Sequence, residues 1–143
     1  MIRKGRRSPL AGTIGAAITV AVAAAGVVVG PATPAAAITY CDASIVWQDT
    51  FAPGDSYTLR PYCMTRQGAG PNNAVATLQD TLVTCYHKNI AVDRLFGTQT
   101  RQALEAVQRD LGIPDDGIYG PQTARAMNHP IVGGGGRCKR ITF

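Results

Sequence analysis

The spacing of apolar and polar residues changes character twice along the chain. From Leu10 to Gly30 there is no alternation: the run is uncharged and rich in Ala, Val and Ile. From Ile38 to Cys63 short β-rich runs are separated by turn residues. Ile45-Val46-Trp47 and Tyr57-Thr58-Leu59 flank Ala52-Pro53-Gly54-Asp55-Ser56. That order predicts a β-hairpin turning at 52–56, with Cys41 and Cys63 near its two ends.

From Asn73 the apolar steps become three and four. Val75, Leu78, Leu82 and Tyr86 form one stripe, which predicts a helix from about Asn73 to Tyr86, capped by Asn72 or Asn73. Leu104, Val107 and Leu111, with Ala103 beside them, predict a second helix over about Thr98 to Leu111. Gly112 and Pro114 stop it. A third, shorter helix starts at Pro121, covers Gln122 to Met127 and ends before Pro130. Gln67 to Asn73 reads as a polar connector, and Gly133 to Gly136 as a spacer. Cys138 to Phe143 is expected to return as an extended segment against the hairpin.

Charge changes the meaning of the first run. Arg3, Lys4, Arg6 and Arg7 precede it and Ala35-Ala36-Ala37 follows it. A basic start, an apolar middle and a small-residue site read as a secretory signal peptide over residues 1–37, with the exported chain starting at Ile38. The run is also about as long as a membrane span, roughly 20 residues, so a retained anchor is the alternative. The Ala/Gly-rich composition and the breaks at Pro31 and Pro34 weigh against it. The Arg6-Arg7 pair leaves twin-arginine export open.

Loss of the leader removes four of the 14 Lys and Arg and none of the nine Asp and Glu, leaving a net charge of +1. A basic stripe for nucleic acid is then lacking. The remaining 106 residues suit one domain with a modest core. Cys41, Cys63, Cys85 and Cys138 all fall in the exported part. An even count in an oxidising compartment reads as two disulfides, and no C-x-x-C pair suggests zinc. Three pairings are open. With the tail folding back, we expect one bridge from Cys138 to Cys41 or Cys63, the other holding the end of the first helix through Cys85.

An internal repeat carries the identification. Val92 to Thr100 and Asp115 to Thr123 share Asp-x-apolar-aromatic-Gly-x-Gln-Thr, so that Asp93 recurs as Asp116 and Gly97 as Gly120. The match extends from Ala103 to Ala126 and from Leu104 to Met127. One supersecondary unit used twice is implied: a turn that launches a helix. Asp93 and Asp116 accept backbone N–H groups there, and Gly117 permits positive φ. Phe96 and Tyr119 fill the core beside the turn. Gly97 and Gly120 let the chain enter the helix, and Thr100 and Thr123 fall in its first turn.

The segment from about Asn73 to Pro130 resembles the three-helix peptidoglycan-binding domain of bacterial cell-wall hydrolases. Its elements are Val75 to Gln79, Val92 to Thr100, Ala103 to Gln108 and Asp116 to Thr123. Two departures stand out. Arg94 occupies a position where the family usually has Gly, and Cys85 another. The hairpin and the cysteine tail lie outside the common domain. The expected architecture is mainly α: a three-helix, disulfide-stapled bundle over 73–130, a β-hairpin extension over 38–72, and a Gly-rich spacer and cysteine tail over 131–143.

The resemblance implies binding to peptidoglycan, and a groove beside the two launching turns is the place expected to hold it. Candidate contacts are Arg94, Gln99, Arg101, Gln122 and Arg125, with Tyr119 reaching out through its hydroxyl. Arginine forks suit stem-peptide carboxylates. Trp47 reads equally as core or as a sugar platform. No catalytic site is expected. His87 and His129 lie outside metalloprotease arrangements and read as terminal or solvent histidines, no G-x-S-x-G elbow occurs, and Gly133 to Gly136 lacks a phosphate-loop Lys. The expected protein is secreted and non-catalytic, without metal or cofactor. Its partners are peptidoglycan and, in a second role, a secreted wall enzyme, with no nucleic acid and no membrane after leader removal. An interaction or inhibitor module, or a small hydrolase, are the alternatives.

Overall fold

The computed structural model describes residues 39–143, so the leader assigned to residues 1–37 lies outside the described residues. Among the described residues, no helix is long and apolar enough to cross a membrane. In chain order the elements are β1 (Thr39–Tyr40), β2 (Ala43–Trp47), β3 (Thr50–Gly54), β4 (Cys63–Met64), α1 (Asn73–Tyr86), α2 (Thr98–Asp110), α3 (Pro121–Ala126), β5 (Asn128–Pro130) and β6 (Cys138–Arg140).

The helices form where the apolar spacing places them. Asn72 caps α1: its side chain accepts the Val75 N–H at 2.9 Å. Asparagine suits this position because its oxygen satisfies an N–H that has no partner within the helix. His87 ends α1 in the left-handed conformation and donates its N–H back to Val83. Pro121 opens α3 at the first turn, where its missing N–H costs nothing. Ala74, Val75, Leu78 and Leu82 of α1 are fully buried, as are Leu104 and Val107 of α2. Burial of a side chain of that size contributes roughly 1.5–3 kcal/mol.

The strands lie in three two-stranded sheets. β1 pairs parallel with β4, β2 antiparallel with β3, and β5 antiparallel with β6. α1 packs against β2, β3 and β5 as well as against α2. The helix stripe therefore closes against sheet as much as against helix, and a bundle of three helices with one hairpin understates the β part.

The hairpin itself differs from expectation. It turns at Gln48-Asp49 rather than at 52–56, and Trp47 pairs with Thr50. Both turn residues are left-handed, at φ 50 and 60. That is the two-residue turn whose twist matches the strands it joins. Ala52-Pro53-Gly54, expected in the turn, is β3 and is buried. Its small residues serve close packing: a Cβ on Gly54 would stand 2.6 Å from Ile45. Tyr57-Thr58-Leu59, expected as a strand, is an exposed turn closed by the pair Asp55↔Arg60.

Both disulfides form, but not in the expected pairing. Cys41 joins Cys63 and Cys85 joins Cys138. Strand pairing explains the difference. The β1–β4 ladder sets Thr39 opposite Cys63, and the Cys41 N–H donates to the Met64 carbonyl at 2.9 Å. Cys41 thus lies beside Cys63. The tail pairs through β6 with β5, and the Asn128 N–H of β5 donates to the Tyr86 hydroxyl at the end of α1. Cys138 is carried to Cys85, not to the N-terminal segment. The tail still reaches the hairpin farther on, where the Thr142 N–H donates to Gln48 Oε1 at 3.0 Å.

Candidate functional site

Each launching turn is held from inside by a buried glutamine. Gln79 of α1 donates from Nε2 to Asp93 Oδ1, the Leu95 carbonyl and Thr100 Oγ1 at 2.8, 3.0 and 3.0 Å. Its Oε1 accepts the Arg94 N–H at 2.9 Å. Gln108 of α2 repeats the pattern. It donates to Asp116 Oδ1, the Ile118 carbonyl and Thr123 Oγ1 at 3.0, 3.0 and 3.1 Å, and accepts the Gly117 N–H at 2.9 Å. Asp93 and Asp116 each accept the N–H two residues on. Every polar atom of the two glutamine side chains has a partner, as a buried network requires. Hydrogen bonds from the Gln79 side chain and the Leu95 N–H hold the Asp93 carboxyl below the usual range.

Arg94 keeps the left-handed conformation, at φ 69, as does Gly117 at the matching position. The turn is therefore not rebuilt around the arginine. The Gln79 bond to its N–H holds it there against a cost of about 1–2 kcal/mol.

The segment Thr65–Ala69, which overlaps the polar connector expected over Gln67 to Asn73, straps the two turns together. Thr65 and Tyr119 exchange both backbone hydrogen bonds, at 2.8 and 2.9 Å. Phe96 donates to the Ala69 carbonyl and accepts from Gly68, each at 3.0 Å. The two turn aromatics, which are equivalent in the repeat, thus grip opposite ends of one strap. Neither is available to a ligand: Phe96 is 2% and Tyr119 0% exposed. Tyr119 fills the core as expected, but its hydroxyl is buried with it and does not reach the surface, and burial raises its pKa.

Between strap and helix lies a groove. One part, about 190 Å³, is lined by Arg66, Gln67, Arg101, Asp116, Gly117 and Ile118. It shares Gln67 and Arg101 with an adjoining polar hollow of about 390 Å³ that adds Thr98, Gln102 and Glu105. Gln67 sits at their junction, donating to Thr98 Oγ1 at 3.2 Å and accepting from Arg101 Nη1 at 3.5 Å. Arg101 also pairs with Glu105 at 2.7 Å. Arg66 is exposed. On the far side of the strap Arg66 and Gln67 also border a hollow of about 410 Å³ with Tyr40 and Asn72.

Of the expected contacts, Arg101 lines the groove. Arg94, Gln99 and Gln122 are exposed but do not form its walls. Arg125 is turned to the tail, donating to the Phe143 carbonyl at 3.0 Å with its guanidinium 4.6 Å from the Phe143 ring. Trp47 is partly buried against the core, its indole N–H 3.4 Å from the Thr142 carbonyl. Arg66 and Gln67 went unrecognised because neither belongs to the repeat. Their position between two Asp/Gly turns becomes visible only once the strap is formed.

His87 is exposed at the end of α1, but His129 is not a solvent residue. It is fully buried, with Nε2 3.0 Å from the Ala124 carbonyl and its ring edge-on to Tyr119. Burial lowers its pKa to about 4.

Part of the chain is similar to known proteins. Residues 71–127 match the family described as "Putative peptidoglycan binding domain". The chain is 39% identical over 74 residues to the N-acetylmuramoyl-L-alanine amidase CwlM of Mycobacterium tuberculosis, a match covering 50% of this chain and 18% of that protein. It therefore spans less than a fifth of that relative's length. A solved peptidoglycan-binding protein from Clostridioides difficile, in complex with glutamine hydroxamate, is 32% identical. The match has a TM-score of 0.42 and covers 44% of this chain and 39% of that one. The residues that match this family, 71–127, hold both glutamine-clamped turns.

Proposed function

We propose that this chain is a secreted, non-catalytic wall protein that holds peptidoglycan in the groove between the Thr65–Ala69 strap and α2. The observation that carries this reading is the convergence of Arg66, Gln67 and Arg101 beside the second launching turn. Peptidoglycan offers neutral sugars, amide-rich stem peptides and scattered carboxylates. Guanidinium groups suit the carboxylates, and amide side chains suit the peptide. Glu105 offsets Arg101, so the groove stays close to neutral. That favours short-range recognition, which salt screens weakly, over long-range attraction. The non-catalytic reading is supported by the two histidines: His87 is exposed and His129 is buried against Ala124 and Tyr119, so they present no joint surface.

The test is co-sedimentation of the full chain with peptidoglycan stripped of protein and secondary polymers, over a salt series. Binding should persist at high salt and fall at least about tenfold, or 1.4 kcal/mol, when Arg66→Ala and Arg101→Ala are combined. Unchanged binding in that double variant would move the site elsewhere. Binding at no salt concentration would leave the family match a statement of fold. The same suspensions should keep their turbidity with and without added metal ions, since a fall would reveal hydrolysis. Export predicts protein in the culture medium beginning at Ile38.

A further inference from the structure

The Asp55–Tyr62 loop lies outside residues 71–127 and takes no part in the groove. Its backbone is tied down. Asp42 accepts from the Ser56 N–H and hydroxyl at 2.8 and 2.7 Å, and Asp55 accepts from the Thr58 N–H at 2.7 Å. Asp55 and Arg60 close the loop as a bridge, and the Cys41–Cys63 disulfide pins its base. The tip is the opposite. Tyr57 is 94% and Leu59 63% exposed, and Leu59 is held at a left-handed φ of 54. A rigid loop thus presents two large apolar side chains to solvent.

Beside the tip, cations and aromatics alternate. The Arg60 guanidinium lies 5.9 Å from the Tyr62 ring centre. Tyr62 meets Phe143 edge-on at 4.6 Å, and Arg125 covers the Phe143 ring at 4.6 Å. Among the described residues no Asp or Glu carboxylate comes within 4.0 Å of either guanidinium. The nearby Asp42 and Asp55 are engaged by Ser56 and Thr58. Arg125 spends Nε on the Phe143 carbonyl and keeps its two terminal nitrogens.

We propose that this surface docks an acidic protein segment that also carries aromatic or apolar side chains. Charge complementarity selects the partner: two pre-stacked guanidiniums offer fork geometry to carboxylates. The apolar tip selects protein over a polyphosphate or a neutral glycan, because Leu59 gains only where apolar surface covers it. Tyrosine and arginine are the residues that dominate protein interfaces, and a pre-ordered loop lowers the entropy lost on binding.

The test uses the full chain and a fluorescein-labelled random copolymer of glutamate and tyrosine, followed by anisotropy. The copolymer should bind, and a lysine–tyrosine copolymer should not. Arg60→Ala with Arg125→Ala, and separately Tyr57→Ser, should each weaken binding at least about tenfold. The charge-matched pair Arg109→Ala with Arg140→Ala should leave it unchanged. Sedimentation of the loop variants with peptidoglycan should also be unchanged, which separates this surface from the groove. The proposal is overturned by equal loss in both arginine pairs, by polyphosphate binding as tightly as the copolymer, or by no binding to the unmodified chain. Should the Arg60/Arg125 pair lower the melting temperature, Tyr57→Ser, at a side chain with no partner among the described residues, decides the matter.

Discussion

The Gln108 side chain holds Gly117 from within the fold, its Oε1 accepting the Gly117 N–H at 2.9 Å while its Nε2 binds three acceptors around the same turn. Gln79 does the same for Arg94. The launching turn is thus a loop closed around an amide supplied by the preceding helix. The sequence repeat and the positions of the two glutamines have one physical cause.

Removing that amide should be costly. Gln108→Leu strips the partner from the buried Gly117 N–H and one of two partners from the Thr123 hydroxyl and the Ile118 carbonyl, which stay bonded to each other at 3.1 Å. Leaving buried polar groups unpaired costs about 1–3 kcal/mol each. We expect a loss of about 2–4 kcal/mol in urea unfolding, with Gln79→Leu similar. A change in both no larger than that of an ordinary surface substitution, about 0.5 kcal/mol, would mean the clamps are incidental.

The two turns should respond oppositely to residue exchange at their left-handed position. Arg94→Gly relieves about 1–2 kcal/mol of backbone strain and is offset in part by the entropy of glycine. A small net gain in melting temperature is expected. Gly117→Ala adds strain at φ +69, and its Cβ would stand 2.7 Å from Arg101 Cγ. It should destabilise by about 1–2 kcal/mol and weaken wall binding by displacing Arg101. Equal signs for the two variants would contradict this account.

Stability should fall in mild acid because of His129. Its folded pKa, about 4, lies below the ordinary histidine value of 6.5. The unfolded chain therefore takes up the proton first, and stability is lost as pH falls from 6.5 towards 4. The full loss is on the order of 3 kcal/mol. His129→Met should flatten the pH dependence in that window. A separate loss below the usual carboxylate range remains, because hydrogen bonds hold Asp42 and Asp93 low in the folded state.

Digestion with trypsin without reduction should leave Cys41 and Cys63 closed within one peptide, because the Arg60–Pro61 bond resists cleavage, and should join the Cys85 fragment to the Cys138 fragment. Fragments linking Cys138 to Cys41 or Cys63 would overturn the strand pairing as well. Cys85→Ala with Cys138→Ala opens a loop across 53 residues, worth about 4 kcal/mol on the chain-entropy relation.

The helices were legible because their signals are local. Asn72, Pro121 and Gly112 act within one turn of where they stand, and the stripe of Val75, Leu78 and Leu82 needs only one partner surface to be buried. The repeat was legible for the same reason: Asp93 and Asp116 each bond two residues along the chain. The groove was half legible. Arg101 sits on a predicted helix next to a predicted turn. Arg66 and Gln67 instead gain their place from strap hydrogen bonds to Phe96 and Tyr119, which lie far along the chain.

By itself the sequence determined where helices start and stop and that two equivalent turns exist. Those choices rest on backbone sterics and hydrogen bonds between near neighbours. Tertiary structure alone decided that Ala52-Pro53-Gly54 is buried strand, that His129 lies in the core, and that Cys85 meets Cys138. In each case the deciding partner is distant in the chain. A small or polar residue reads the same in sequence whether it turns at the surface or lets two elements close over it, and only the packing of α1 on the sheets separates the two.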